Sequence, residues 1–101
     1  MNRHYRGYFF FDPNEEIFEK HFPGIPVVPG SMILSYFLKE IQKILNCLLQ
    51  DLTVKNFKFI KFISPGEYEF QINFKENYIS CKLFDNDKIV SKGKVFYNYG
   101  K

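Results

Sequence analysis

His21 stands directly before three prolines at a spacing of three, Pro23, Pro26 and Pro29, and Gly30 closes the run. Each proline holds φ near −65° and pushes the residue before it toward extended backbone. Prolines at this period favour a left-handed extended course, so the segment is ordered before it folds and can hold His21 at a set distance from the next element. That element reads as a long helix. Gly30 permits close backbone approach at its start, where the first amide N–H groups are unpaired and the dipole is positive, so an oxyanion is stabilised there. A base and a set of N–H donors suit removal of a proton beside a thioester carbonyl, with the enolate held by the donors. Two plainer readings compete. One is a stiff surface loop with an incidental histidine. The other is a proline-rich ligand for an aromatic groove, which the apolar strand and helix on either side disfavour.

The elements that must position these groups can be read from periodicity. Residues 5–11 (YRGYFFF) are rich in β-formers and end at an Asp12-Pro13 turn signal. NEEIFEKHF reads as a polar connection anchored by Ile17 and Phe18. From residue 31 to about residue 50 the period is helical. Leu34, Phe37, Leu38, Ile41, Leu45 and Leu48 form one apolar stripe, opposite Ser35, Lys39, Lys43, Asn46 and Gln50. Such a helix is about 30 Å long. VKNFKFIKFI is a strand stopped at Ser64-Pro65-Gly66. EYEFQINF alternates, with Tyr68, Phe70, Ile72 and Phe74 facing one way. YISCKLF, the Asp85-Asn86-Asp87 turn and KIVSKGKVFY complete an antiparallel meander. One strand, one long helix and about four further strands predict an α+β fold in which a curved antiparallel sheet wraps the helix, as one domain over residues 1–101.

A chain of 101 residues supports one modest core. With 13 Phe and no Trp, phenylalanine fills that core with few residues. A net charge of +3 is too small to imply a nucleic-acid partner and mildly favours an acidic one. Cys47 and Cys81 read as reduced, buried thiols. Two cysteines and two histidines offer no metal-ligand spacing, and no cofactor is expected. His4, near the terminus, reads as solvated. No apolar run is long enough for a signal peptide or a membrane span, so the expectation is a cytoplasmic protein with no membrane partner.

HFPGIPVVPGSMIL resembles the H-F-P-x-x-P-x-x-P-G signature of the bacterial 3-hydroxyacyl-acyl carrier protein dehydratases, hotdog-fold enzymes of fatty acid synthesis. His21, Phe22, Pro23, Pro26, Pro29 and Gly30 all stand at the family's spacing. FKFIKFISPGE is similar to the family's strand that ends in Pro-Gly. The resemblance covers residues 9–97 and leaves the family's first N-terminal strand without a counterpart. It implies a hotdog fold, dimerised so that two sheets join. It further implies His21 as catalytic base, Phe22, Pro23, Pro26 and Pro29 as the loop scaffold, the Gly30 amide on the thioester oxygen, and the Val27 carbonyl orienting the imidazole. An acidic residue early on the other protomer's helix would protonate the leaving 3-hydroxyl.

That acid has no counterpart here. It falls fourteen residues after the histidine, where this chain has Ser35; one turn on, where the commoner enzymes carry Gln, it has Lys39. Glu40 lies about 140° round the helix from Ser35 and is a poor stand-in. A serine hydroxyl is a far weaker acid than a carboxyl group, although it can hold a water or orient the substrate hydroxyl. The expectation is a dehydratase acting on a 3-hydroxyacyl thioester of acyl carrier protein or coenzyme A. The alternatives are a non-catalytic acyl-thioester- or carrier-binding subunit that pairs with an active paralogue, as a heterodimer rather than a homodimer, and a hotdog thioesterase. The histidine loop favours an enzyme; the missing carboxylate favours the binding subunit. The phenylalanine-rich strands and apolar helix face can line an acyl tunnel, though most of these rings are simply core. Lys55, Lys58 and Lys61, with Lys88, Lys92 and Lys94, read as solvated strand faces, or as a basic surface for the acidic carrier protein.

Overall fold

A computed structural model describes residues 3–20, 24 and 26–98 of the chain. β1 (Arg3–Phe11) leads through a short helix, α1 (Glu16–Lys20), to the long helix α2 (Gly30–Leu45). A single 3-10 turn at Leu49–Asp51 then enters β2 (Leu52–Phe59), β3 (Gly66–Phe74), β4 (Ile79–Asp85) and β5 (Lys88–Tyr97). The strands form one antiparallel sheet in the order β1-β3-β4-β5-β2. This five-stranded α+β arrangement is the hotdog fold that the resemblance implies.

The core lies between the sheet and α2. Ile33, Phe37 and Ile41 project from the helix onto Phe9 and Phe11 of β1, Phe70 and Ile72 of β3, and Ile79, Cys81 and Leu83 of β4. The Phe9 ring stacks on Phe70 at 4.3 Å and meets Phe37 edge-on at 5.0 Å. The period-2 alternation read in β3 is the alternation observed: Phe70 and Ile72 are buried, and Tyr68 and Phe74 pack against the core from its margins.

Three boundaries differ from the sequence expectation, each for a local reason. α2 ends at Leu45 because Asn46 turns left-handed (φ 52°, ψ 51°) and donates its N–H to the Gln42 carbonyl. Asparagine is one of the few residues that tolerates this C-terminal cap. Leu48 therefore leaves the apolar stripe and is exposed, while Ile33 heads the stripe in place of half-buried Leu34. The segment read as a plain connection contains α1, whose turn is held by the Glu15 N–H on the Asp12 carbonyl (3.1 Å) and by a Glu16–Lys20 ion pair at 2.9 Å. Phe18 is buried there as expected.

β2 stops at Phe59, four residues before the expected end. A bulge between Lys55 and Lys58, with Asn56 at φ +56°, disturbs its pairing with β5. Beyond it the Ile60 and Lys61 N–H groups both donate to the Val90 carbonyl. Phe62 is left 84% exposed, and Ile63 returns to the core.

The bulge makes Gly93 of β5 obligatory. A Cβ there would lie 2.2 Å from Phe57 Cδ2 and 2.8 Å from the Phe57 Cα, so a side-chain rotation alone cannot relieve the clash. Gly93→Ala is expected to destabilise the chain by about 1–3 kcal/mol, as overpacked cores do. Thermal denaturation beside the wild type checks this; an unchanged melting temperature contradicts it.

Both cysteines are free. Cys81 is fully buried, and burial pushes its thiol up to about 12, so it is inert as a nucleophile. Cys47 is only partly buried, contrary to expectation; desolvation first and the nearby Asp51 second raise its thiol. No helix among the described residues is long and apolar enough to cross a membrane.

Candidate active site

His21, Phe22 and Pro23 lie outside the described residues. The described residues of the loop, 24 and 26–29, carry neither helix nor strand. Pro29 has φ −63° and ψ 145°, the polyproline values that its spacing predicts. The loop is pinned to the sheet side by the buried Val28, whose N–H donates to the Ile63 carbonyl at 2.9 Å. The early end of β2 thus has a structural use, because it brings residues 60–63 across to hold the proline segment. Val27, next to this anchor, is half-buried.

α2 starts at Gly30 with Pro29 in the capping position and no side-chain cap. Its first turn holds no acidic residue. The Pro29 carbonyl takes the N–H groups of Met32 (3.0 Å) and Ile33 (3.2 Å). Among the described residues the Gly30 and Ser31 N–H groups have no acceptor. A helix start without the usual Ser, Thr, Asp or Asn cap leaves its positive end available to an oxygen that gains negative charge. The Phe59 ring covers this point: a Cβ on Gly30 would lie 2.9 Å from two of its carbons. Any side chain at position 30 would have to push the Phe59 ring aside.

Ser35 is half-buried, one turn beyond Ser31 and one before Lys39. These three line a shallow groove with Met32, Tyr36, Ile17 and Glu15. Glu15 is the carboxylate of this groove. Sequence reasoning missed it, because it lies twenty residues upstream of Ser35 and reaches the groove only through the turn before α1. Glu40 does not line the groove; it pairs with Lys43 at 3.5 Å. His4 is exposed on β1, bonded to the Asn73 side chain.

A family model described as ApeI-like, the ApeI dehydratase, matches residues 2–94 of the chain. An uncharacterized thioester dehydrase of Halalkalibacterium halodurans is 28% identical over 108 aligned positions, covering 87% of this chain and 67% of its own. A 3-hydroxyacyl-[acyl-carrier-protein] dehydratase FabZ of Chlamydia trachomatis is 26% identical over 99 positions, covering 83% of this chain and 65% of its own. The chain thus spans about two thirds of the length of these curated relatives. Among solved structures, the dehydratase heterocomplex ApeI:P from Xenorhabdus doucetiae superposes with a TM-score of 0.75 at 20% identity, over 95% of this chain and 92% of that one. An uncharacterized protein from Erwinia carotovora subsp. atroseptica gives 0.69 at 23% identity, over 94% and 82%.

Proposed function

The chain belongs to the ApeI-like dehydratase family, and from that premise we propose that it removes water from a 3-hydroxyacyl thioester at the start of α2. The observation that carries this reading is the uncapped helix start, where the Gly30 and Ser31 N–H groups have no acceptor among the described residues. In the proposed reaction His21 takes the proton from the carbon next to the thioester carbonyl. The electron pair moves onto the carbonyl oxygen, which accepts a hydrogen bond from the Gly30 N–H. The enolate then collapses, expelling the 3-hydroxyl with a proton as water and leaving a 2-enoyl thioester. Val27 orients the imidazole, and Pro26 and Pro29 keep the loop extended between base and donor. The relative named as an acyl-carrier-protein dehydratase supports an acyl carrier protein as the thioester's carrier.

The proton for the leaving hydroxyl is the weak point of the site. α2 offers only Ser35 at the expected position, with Glu15 across the groove. This favours a second reading, in which the chain works beside a paralogue that brings a carboxylate. The structural likeness to the dehydratase heterocomplex ApeI:P supports it. The open edge of β2 supports pairing of either kind: Phe59, Ile60 and Phe62 are exposed along and just beyond it, and a second sheet joined there covers them.

Hydration of a short 2-enoyl thioester by the purified protein, alone and mixed with a carboxylate-bearing paralogue, separates the two. The protein alone is expected to be slow. The mixture is expected to gain about 10²–10⁴-fold, the usual worth of general acid–base help. Absence of turnover under both conditions, across short and long acyl chains, removes the dehydratase reading.

A further inference from the structure

β1 closes one side of the sheet, and its outer edge carries no protection. It pairs with β3 over all nine of its residues without a register shift. Edge strands are ordinarily blunted by lysine, proline or a bulge, and none of these occurs between Arg3 and Phe11. Tyr5, Gly7, Phe9 and Phe11 face the core, so His4, Arg6, Tyr8 and Phe10 stand on the outer face. Tyr8 is 66% and Phe10 56% exposed. The Phe10 carbonyl accepts a bond from the Tyr36 hydroxyl at 3.4 Å, so it points away from β3 toward the open side. By the alternation of an antiparallel strand, the N–H and C=O groups of His4, Arg6 and Tyr8 point the same way. Among the described residues, Tyr36 supplies the one side-chain bond to this edge, at one end of it.

We propose that β1 joins β1 of a second copy of this chain, antiparallel, about a two-fold axis through Gly7. The contact lies across the sheet from the β2 edge and does not depend on the dehydratase reading. Gly7 is the midpoint of the strand, so this register pairs the whole of it, with Arg3 opposite the partner's Phe11. It sets Arg6 opposite the partner's Tyr8 and His4 opposite the partner's Phe10, and symmetry repeats both pairs. Each places a basic side chain against an exposed ring, and the Arg6 guanidinium can lie on Tyr8 while keeping Glu69 at 2.8 Å. The neighbouring registers match less well. An axis at Arg6 sets that arginine against its own copy, and like charges opposite each other destabilise a sheet. An axis at Tyr8 leaves only residues 5–11 paired within the strand. At Gly7 the two strands meet as a narrow pair, with Cα atoms about 4.5 Å apart. No side chain collides there, because the Phe70 ring fills the place of a Cβ, 2.7 Å from where one would stand. The far side of the same outer face has no such match to itself: Lys58, Lys92 and Lys82 stand opposite one another in a row.

Disulfide trapping tests the register. Opposite residues of a hydrogen-bonded antiparallel pair have Cα atoms about 5.5 Å apart, within reach of a disulfide. In a Cys47→Ser background, Arg6→Cys and Tyr8→Cys chains mixed under mild oxidation are expected to cross-link to each other. Either chain alone is expected to cross-link at least about tenfold more slowly, because identical positions then lie on a diagonal, about 7–8 Å apart. Sedimentation equilibrium tests the contact itself. At high concentration the wild type is expected to reach about twice the mass of Tyr8→Lys/Phe10→Lys, whose lysines blunt the edge. Both replaced side chains are exposed, so this variant should melt with the wild type. The proposal is overturned if the mixed chains cross-link no faster than either alone, or if wild type and Tyr8→Lys/Phe10→Lys show one mass up to millimolar concentration. It is equally overturned if the wild type keeps the mass of the variant while phosphatidylcholine vesicles retain the wild type and not the variant, which assigns the two rings to a lipid surface. Neither readout uses turnover, so loss of the dehydratase reading leaves this one standing, and the reverse.

Discussion

His21→Ala is expected to lower the hydration rate of a 2-enoyl thioester by about 10²–10⁴-fold or more, with little change in melting temperature. No side chain among the described residues can take the base's place. His4 is on β1, bonded to Asn73. Cys81 is buried, and burial holds its thiol in the protonated form. Glu15 lies in the groove with Ser35 and Lys39. The amides at Gly30 and Ser31 survive the substitution, so binding of a thioester should weaken less than kcat falls. Equal rates for His21→Ala and wild type end the case for proton abstraction at this loop.

Ser35→Glu should move activity in the other direction. If the family's acid position is where the leaving hydroxyl sits, a carboxyl group there supplies the proton that serine cannot. The gain expected for the protein acting alone is about 10²–10⁴-fold in kcat. Lys39 lies one turn further along the same groove and can capture the new carboxylate as an i,i+4 pair. Ser35→Glu/Lys39→Gln is therefore expected to exceed Ser35→Glu. The groove also holds Glu15, so Glu15→Gln in the wild-type background completes the series. A brisk wild type that slows only with Glu15→Gln, and gains nothing from Ser35→Glu, means that Glu15 already donates the proton and that the site is not deficient.

Much of the scaffold was legible because its signals are local. The alternation in EYEFQINF, the limits of the last strand at Lys88 and Tyr97, and the helix beginning behind Pro29 all depend on neighbours within a few residues. The helix end was not legible from hydrophobicity, since Leu45 and Leu48 continue the stripe; the left-handed turn at Asn46 overrides it. The end of β2 was hidden for the same reason. FKFIKFI reads as unbroken strand, yet the bulge at Asn56 and the demand that Ile63 hold Val28 bend it away from the sheet. At the site, the helix start at Gly30, with no side-chain cap, was readable from the proline run before it. The meeting of Glu15 with Ser35, and the facing of Lys58, Lys92 and Lys82, depend on tertiary packing and strand register that no local pattern encodes.

The most direct test of the central claim, that the chain is a lyase working beside a thioester carbonyl, is mass spectrometry of a 3-hydroxybutyryl thioester incubated with the protein in deuterated water. Proton removal and its reversal at the carbon next to the carbonyl are predicted to yield the 2-enoyl thioester and to leave deuterium at that carbon in the recovered 3-hydroxy ester, both lost in His21→Ala. Release of free thiol and 3-hydroxybutyrate without enoyl product or deuterium would instead make the protein a thioesterase. An ester recovered unchanged, with the paralogue present as well as absent, would make it a binding subunit.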